Sequence, residues 1–317
     1  MIRSQFPDVE IPDAHLTDFV LARAGVLGDK SALIDATSGR TITYAQLAES
    51  VRAAAAGLAD RGFGKGDKFA HYAPNLPEYA VAFHAVATLG GVNTTANPLL
   101  TADELAAQLR DCSARLLVTV PPLLEKATAA AERSGIEEIF VYGAADDATP
   151  FTSLQEAGGE PPDVAIDPAS DLVALPYSSG TTGLPKGVML THRNVVANIR
   201  QTVAGLRTTE HDRVIAVLPF FHIYGLVVIL NASLHCGATI VTMPRFDLRE
   251  FLRAVQDHGI TRAYVVPSCW RWPSTRSSTS STSRAWSSCC PAPRRCRPSS
   301  KLRAAGGSAA GCSRATA

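Results

Sequence analysis

The sequence predicts an α/β protein in which mostly parallel sheets are flanked by helices. Two observations support this prediction. Short apolar, β-branched runs alternate with amphipathic stretches of helical length across residues 43–266, which is the pattern of parallel strands joined through helices. Several of the helical stretches also begin at recognisable start signals and end at glycine, as helices commonly do.

Each predicted element follows from local signals. Thr43 with Gln46, and Thr101 with Glu104, match the capping-box pattern, and Pro77 is suited to the first turn of a helix. The predicted helices are 43–61, 77–89, 101–111, one ending at 134, 192–206, 223–234 and 248–258. The predicted strands are 67–73, 115–120, 139–142, 171–177, 188–190, 213–218, 238–243 and 261–266. Residues 144–168 are rich in proline, glycine and acids, and we expect a linker or an excursion there.

Charge divides the chain into two parts. Residues 1–267 carry 21 Lys and Arg against 29 Asp and Glu, whereas residues 268–317 carry 9 against none. Basic residues before position 267 are scattered, which argues against a nucleic-acid partner. Cys112 and Cys236 have no partner at motif spacing, so we expect buried thiols in a reducing compartment. No secretory signal and no uninterrupted apolar span is visible, so the expected location is cytoplasmic, without a membrane span.

One segment, Ser178-Ser179-Gly180-Thr181-Thr182-Gly183-Leu184-Pro185-Lys186-Gly187, is the strongest functional signal. Glycine lets the backbone approach a ligand closely, and hydroxyls, backbone N–H groups and a lysine suit phosphate oxygens. A P-loop is excluded, because that pattern needs Ser or Thr directly after its lysine, and here Gly187 follows Lys186. A simple hairpin turn is the remaining structural alternative, and the length and composition of the segment make it the weaker one.

Continued through Val188 to Asn194, this segment resembles the phosphate-binding signature of the adenylate-forming acyl-CoA synthetases. The stretch Leu218-Pro219-Phe220-Phe221-His222-Ile223-Tyr224-Gly225 is similar to the next motif of the 4-coumarate–CoA ligase group. The resemblance runs from near the N-terminus to about Pro267. It implies the N-terminal part of the adenylate-forming ligase fold and a reaction in which ATP activates a carboxylate that is then passed to coenzyme A, with Mg²⁺ on the phosphates.

The resemblance also implies roles for individual residues. His222 and Tyr224 would line the acyl pocket; the alternatives are that His222 caps a helix and Tyr224 packs in the core. Arg245 would lie near the phosphates of coenzyme A, and a solvated surface arginine is an equal alternative. Thr181, Lys186 and His222 would be catalytic, and the ATP phosphates would contact Ser178, Ser179, Gly180, Thr181, Thr182, Gly183 and Lys186. No protein ligands for a metal are predicted. We expect His192 and Arg193 to belong to the start of a helix.

Residues 268–317 do not continue this pattern. They contain one leucine, no other large aliphatic residue, three tryptophans and thirteen serines, so they cannot bury enough apolar surface to order. A one-base shift offers an explanation. One back-translation of 267–276 then reads Pro-Ile-Val-Leu-Ala-Leu-Ala-Lys-His-Pro, and 311–317 can encode Val-Leu-Gln-Gly-Tyr-Gly-Met, which resembles the family's adenylate-binding motif. We therefore expect 1–267 to be a truncated AMP-binding domain and 268–317 a disordered, out-of-frame tail.

The expected function is thus a carboxylate–CoA ligase that acts on an aromatic or other acyl carboxylate, with the 317-residue chain inactive alone because the motifs for adenine, ribose and the small C-terminal domain are missing. Two alternatives stay open. The chain could be a non-catalytic nucleotide- or acyl-binding module whose basic tail recruits an acidic partner, or it could adenylate an acid for the thiol of a carrier protein. The sequence specifies neither the acid nor the oligomeric state.

Overall fold

The alternation of strands and helices builds two sheets in the computed structural model, which describes residues 8–156, 158–178 and 185–266. The helices are α1 (Leu16–Leu21), α2 (Ala24–Leu27), α3 (Tyr44–Asp60), α4 (Pro77–Thr88), α5 (Ala102–Cys112), α6 (Leu124–Ala131), α7 (Ser153–Glu156), α8 (His192–Leu206), α9 (Ala232–Cys236) and α10 (Leu248–Asp257), with a 3₁₀ turn at Pro121–Leu123 and a π-helix at Tyr224–Asn231. The strands are β1 (Ser31–Asp35), β2 (Thr41–Thr43), β3 (Lys68–Tyr72), β4 (Val92–Thr95), β5 (Leu116–Thr119), β6 (Glu138–Val141), β7 (Thr149–Pro150), β8 (Leu172–Ser178), β9 (Lys186–Gly187), β10 (Leu190–Thr191), β11 (Arg213–Ala216), β12 (Thr239–Thr242) and β13 (Arg262–Ala263).

Both sheets are mainly parallel, as the sequence predicts. Sheet one has the order β13-β11-β12-β1-β2, and β2 is its antiparallel member. Sheet two has the order β10-β8-β4-β3-β5-β6-β7, with β9 paired to β8; β9 and β10 are antiparallel to β8. Ligands of such sheets bind where the carboxyl ends of the strands emerge. The residues that follow parallel strands, among them those after β4, β8, β11, β12 and β13, are therefore candidates for a ligand site.

The predicted helix starts are confirmed. Thr43 and Thr101 each accept a hydrogen bond from the backbone of the residue three positions on, and the side chains of Gln46 and Glu104 return one. Asp247 caps α10 by accepting from two backbone N–H groups in the first turn of that helix. These signals are readable from sequence because each one satisfies backbone donors within its own first turn.

Residues 144–168, expected to be a linker or an excursion, are anchored in the middle. β7 pairs with β6, and Phe151 and Leu154 are buried. α7 packs directly on the backbone of α3, since a Cβ atom on Gly57 would lie 2.0 Å from the carbonyl oxygen of Leu154.

Several predicted elements differ from the structure, and the strand predicted at 261–266 is confined to β13. Only Leu190 of the strand predicted at 188–190 lies in a strand, β10; Val188 and Met189 are exposed and lie between the two-residue strands β9 and β10. The helix predicted at 223–234 is present, but its first eight residues form a π-helix. Within it the side chain of Asn231 donates to the carbonyl of Leu226 at 2.8 Å, which satisfies one backbone acceptor in the wider turn.

The tail predicted for residues 268–317 lies outside the described residues. Within the described part, Cys112 and Cys236 are buried free thiols, as predicted. None of the helices among the described residues combines the length and the apolar character needed to cross a membrane.

Candidate functional site

Ser178 and Lys186 lie directly opposite each other at the carboxyl end of β8. The antiparallel register pairs Ser178 with Lys186 and Tyr177 with Gly187, and these four residues are called the hairpin neck below. Directly opposed side chains of an antiparallel pair stand on one face with their Cβ atoms about 5 Å apart. Both Ser178 and Lys186 are exposed. A hydroxyl and an ammonium group are therefore side by side at the edge where ligands of parallel sheets bind.

The packing around the hairpin neck explains why position 187 is a glycine. A Cβ atom on Gly187 would lie 3.1 Å from Cγ of Leu175 and 3.3 Å from the ring of Tyr177, so a larger residue would press on two side chains of β8. The hydroxyl of Tyr177 in turn donates to the carboxylate of Asp111 on α5. Five residues predicted to contact phosphate, Ser179, Gly180, Thr181, Thr182 and Gly183, lie outside the described residues, and their roles stay predictions.

His222 lies on a tight turn that follows β11, residues 218–222, called the histidine turn below. The backbone N–H of His222 donates to the carbonyl of Pro219 at 3.1 Å, and the N–H of Tyr224 donates to Nδ1 of His222 at 3.2 Å. Because Nδ1 accepts, the neutral imidazole carries its proton on Nε2. The ring is exposed, so it presents an N–H donor from a position fixed by its own backbone.

Gly225 is required for this turn to pack. A Cβ atom at this position would lie 2.1 Å from the carbonyl oxygen of Pro219 and 2.9 Å from that of Leu218. The first turn of the π-helix therefore rests directly on the backbone of the histidine turn. Close backbone packing therefore explains why the sequence motif ends in glycine.

Tyr224 stands beside a second tyrosine that the sequence analysis did not single out. The rings of Tyr224 and Tyr264 are 6.2 Å apart in an edge-to-face arrangement with 66° between their planes, a favourable geometry for aromatic pairs. Partial burial, reinforced by Tyr264, raises the pKa of Tyr224 above its ordinary value. Tyr264 directly follows β13, so the rule that sites form at carboxyl ends of strands would have found it.

The two motifs adjoin through Thr95, the last residue of β4. Its hydroxyl donates to the carbonyl of Phe221 at 2.7 Å. In the parallel pairing of β4 with β8, Thr95 stands opposite Pro176, two positions before Ser178. The histidine turn is thus attached to the strand that lies beside β8, at the end of β8 that carries the hairpin neck.

Arg245 occupies a different surface. It is exposed after β12 and lines a groove of about 250 Å³ together with Asp247, Glu250, Arg253 and His258. The described residues that line this groove include neither Lys186 nor His222. Arg245 is available to a ligand that reaches this groove, and the groove carries acidic as well as basic side chains.

Three histidines without a predicted chemical role are core residues. His71, His84 and His192 are fully buried, and burial is the main reason that their pKa values fall to about 4, about 3 and about 4. His192 begins α8, as expected, and its Nδ1 accepts the backbone N–H of Leu16 at 3.1 Å. These rings are neutral structural groups at ordinary pH.

Within residues 8–156, 158–178 and 185–266, no three His, Cys, Asp or Glu side chains are grouped so that they could hold a metal ion. The hydroxyl, ammonium, imidazole and phenol groups described above lie at or after the carboxyl ends of β8, β11 and β13, and donors of these kinds can bind anions.

Comparison with known proteins decides the family. The model of the family described as AMP-binding enzyme matches residues 21–317. The chain belongs to this AMP-binding enzyme family. The match extends over 268–317 as well, so the boundary expected at Pro267 stays a prediction.

The most similar curated relatives of this AMP-binding chain include plant enzymes. It is 43% identical over 273 residues to 4-coumarate–CoA ligase 5 of Oryza sativa subsp. japonica, and 40% identical over 273 residues to 4-coumarate–CoA ligase 2 of Petroselinum crispum. Each alignment covers 84% of this chain and 50% of the relative. The chain spans about half the length of the curated relatives it matches.

Solved structures confirm the fold. The chain superposes on a long-chain-fatty-acid-CoA ligase from Archaeoglobus fulgidus with a TM-score of 0.78 and 27% identity, over 84% of this chain and 54% of that one. ATP-bound MatB from Rhodopseudomonas palustris gives a TM-score of 0.73 and 29% identity, over 86% of this chain and 54% of that one. The predicted fold, the N-terminal part of an adenylate-forming ligase, is thereby confirmed.

Proposed function

We propose that this chain is the ATP- and acyl-binding part of a carboxylate–CoA ligase that acts on an aromatic acid of the 4-coumarate type. The observation that carries the proposal is the pairing of Ser178 with Lys186 at the end of β8, beside the strand whose Thr95 bonds to the histidine turn. Relatives named 4-coumarate–CoA ligase at about 40% identity support the choice of acid.

In the proposed reaction a carboxylate oxygen attacks the α-phosphorus of ATP. The new O–P bond replaces the bond to pyrophosphate, which leaves, and an acyl-adenylate forms. The thiol of coenzyme A then loses its proton and attacks the acyl carbon, and AMP departs. Negative charge grows on the phosphate oxygens in the first step, so preorganised donors lower its barrier.

The residues of this chain supply those donors. Lys186 offers an ammonium group and Ser178 a hydroxyl at the hairpin neck, and the hydroxyls and backbone N–H groups of Ser179, Gly180, Thr181, Thr182 and Gly183 would complete the phosphate contacts. Thr181, Lys186 and His222 are the catalytic candidates. The Nε2–H of His222 would orient the acyl carboxylate.

Mg²⁺ would arrive with ATP as part of the substrate and neutralise phosphate charge. The ion would be held mostly through phosphate oxygens and water. Tyr224 and Tyr264 are suited to one wall of an aromatic acyl pocket, since their rings pair edge to face. Arg245 is the candidate contact for the phosphates of coenzyme A.

The test uses calorimetry on the 317-residue chain with Mg·ATP. Lys186→Ala should raise the Kd about 10- to 100-fold, because a hydrogen bond to a charged group contributes about 1.5–3 kcal/mol. Lys126→Ala, which removes an exposed lysine on α6, is the matched control and should leave the Kd unchanged. Equal losses in both variants, or no binding by the parent chain, would refute the phosphate site.

A second assay separates catalysis from binding. We expect little or no ATP–pyrophosphate exchange with a cinnamate from the 317 residues alone, since they span about half of the relatives' length. Ordinary turnover would remove that expectation. Binding without exchange is also what a non-catalytic module would give; exchange with transfer to a carrier-protein thiol would favour the other alternative.

A further inference from the structure

Asn75 joins the end of β11 and the histidine turn with three hydrogen bonds from one buried side chain. It lies in the connection between β3 and α4 and is 3% exposed. Its Nδ2 donates to the carbonyls of Ala216 and Leu218, both at 2.9 Å, and its Oδ1 accepts the N–H of Phe220 at 2.7 Å. Only a carboxamide can donate twice and accept once from the same planar group.

Thr95 holds the same turn at a second point. It is 2% exposed, and its hydroxyl donates to the carbonyl of Phe221, the residue next to His222. Its backbone carbonyl accepts the side-chain amide of Gln108 at 3.1 Å, so Thr95 is itself held from α5. A buried hydroxyl bonded at this position therefore fixes the turn relative to β4, and β4 lies beside β8.

The hydrogen bonds of the histidine turn are of two kinds, those within the turn and those to distant parts of the chain. The bonds from His222 N–H to Pro219 and from Tyr224 N–H to His222 shape the turn locally. The bonds from Asn75 and Thr95 instead run from sheet two to the chain that leaves sheet one. They connect the segment that leads to His222, after β11, with the sheet that carries the hairpin neck, after β8.

We propose that Asn75 and Thr95 are positioning residues, which dock the histidine turn onto the carboxyl edge of sheet two and thereby place His222 for the acyl group against the phosphate-binding residues. This inference rests on the proposed function. Neither side chain needs to touch a substrate. Each acts through the backbone on which His222 is carried.

The principal variant is Thr95→Val, which removes the hydroxyl and keeps the shape. Thr119→Val is its matched control: Thr119 is fully buried at the carboxyl end of β5 and donates to the carbonyl of Tyr72 at 2.9 Å, a bond of the same kind that stays within sheet two. Asn75→Asp keeps the acceptor for Phe220 but turns an oxygen toward two carbonyls. If Asn75→Asp fails to fold, Thr95→Val still decides.

The first readout needs no ligand. In a ¹H–¹⁵N spectrum of the imidazole rings, Thr95→Val should shift the His222 signals and change its ratio of tautomers, and Thr119→Val should leave both as in the parent chain. Unchanged His222 signals in Thr95→Val would overturn the proposal. So would an equal change in the Thr119→Val control, which would mark a general effect of losing a buried hydroxyl.

The second readout measures cinnamate binding at saturating Mg²⁺ and α,β-methylene-ATP. Thr95→Val should weaken cinnamate binding about tenfold, since small misplacements of a positioned group are costly, and should change the Kd of the nucleotide less than threefold. A loss shared by nucleotide and acid would contradict a positioning role. If the parent chain binds neither ligand, the proposed function fails, and the imidazole spectrum alone then decides whether the two residues position His222.

Discussion

The histidine turn and the hairpin neck adjoin through Thr95, yet they are held in different ways. The histidine turn is attached by buried side chains of sheet two and by a glycine packed on its backbone. The hairpin neck consists of two residue pairs between β8 and β9, and both residues of the pair at the end of β8, Ser178 and Lys186, are exposed. In the described residues, the turn that carries His222 is therefore preformed by buried contacts, whereas Ser178 and Lys186 are held mainly by backbone pairing.

Among the glycine substitutions, the largest expected effect comes from filling the contact beneath the histidine turn. Gly225→Ala would place a methyl group 2.1 Å from the carbonyl oxygen of Pro219, and backbone cannot move aside as a side chain does. We expect the free energy of unfolding to fall by about 3 kcal/mol or more. Urea denaturation measures this loss.

Gly205→Ala is the control for Gly225→Ala. Gly205 lies in α8, and no atom outside its own helical turn lies within 4 Å of the position that the methyl group would take. Alanine should therefore stabilise the chain by about 0.5–1 kcal/mol through helix propensity. A Gly225→Ala protein as stable as the parent would show that the turn does not need its close backbone contact.

Acid should destabilise the folded chain through its buried histidines. Burial lowers the pKa values of His71, His84 and His192 to about 4, about 3 and about 4, below the ordinary value of about 6.5. The unfolded chain therefore binds protons first. Stability is full above about pH 6.5 and falls toward pH 4, by about 1.4 kcal/mol per pH unit for each histidine.

Urea denaturation between pH 7 and pH 5 measures this slope. In His192→Asn the amide oxygen can still accept the N–H of Leu16, so that variant should fold and lose about one histidine's share of the slope. A slope equal to that of the parent would show that His192 is not a neutral buried group.

The hairpin neck should tolerate more. Gly187→Ala places its methyl group 3.1–3.3 Å from the side chains of Leu175 and Tyr177, which can shift by a few tenths of an ångström. We expect a cost of about 1 kcal/mol or less, again by urea denaturation. A cost as large as that of Gly225→Ala would remove the contrast between the two regions.

The parts of this fold that the sequence predicts are local. Thr43 and Thr101 cap helices within one turn, and both predictions are confirmed. β4 shows the limit. Its residues Val-Asn-Thr-Thr read as polar, but Asn93 is buried and donates to the carbonyls of Phe83 and Val173. Hydrogen bonds to backbone groups that are distant in the sequence compensate for the burial of these polar side chains. No local sequence pattern predicts such bonds.

The candidate site divides along the same line. Lys186, His222 and Tyr224 were found because motifs surround them. Asn75 was not, because its partner Ala216 is 141 positions away in the chain, and neither stretch predicts the other. The pairing of Ser178 with Lys186 likewise depends on the register of β8 with β9, which becomes visible only in the folded chain.

The most direct test of the central claim, that the hairpin neck and His222 face one ligand site, is paramagnetic broadening by Mn·ATP in place of Mg·ATP. His211 is an internal control, because it precedes β11 while His222 follows that strand, so the two rings lie at opposite ends of sheet one. Substoichiometric Mn·ATP should broaden the imidazole signals of His222 and leave those of His211 sharp, and Lys186→Ala should reduce the effect. Sharp His222 signals while Mn·ATP is bound would contradict the claim.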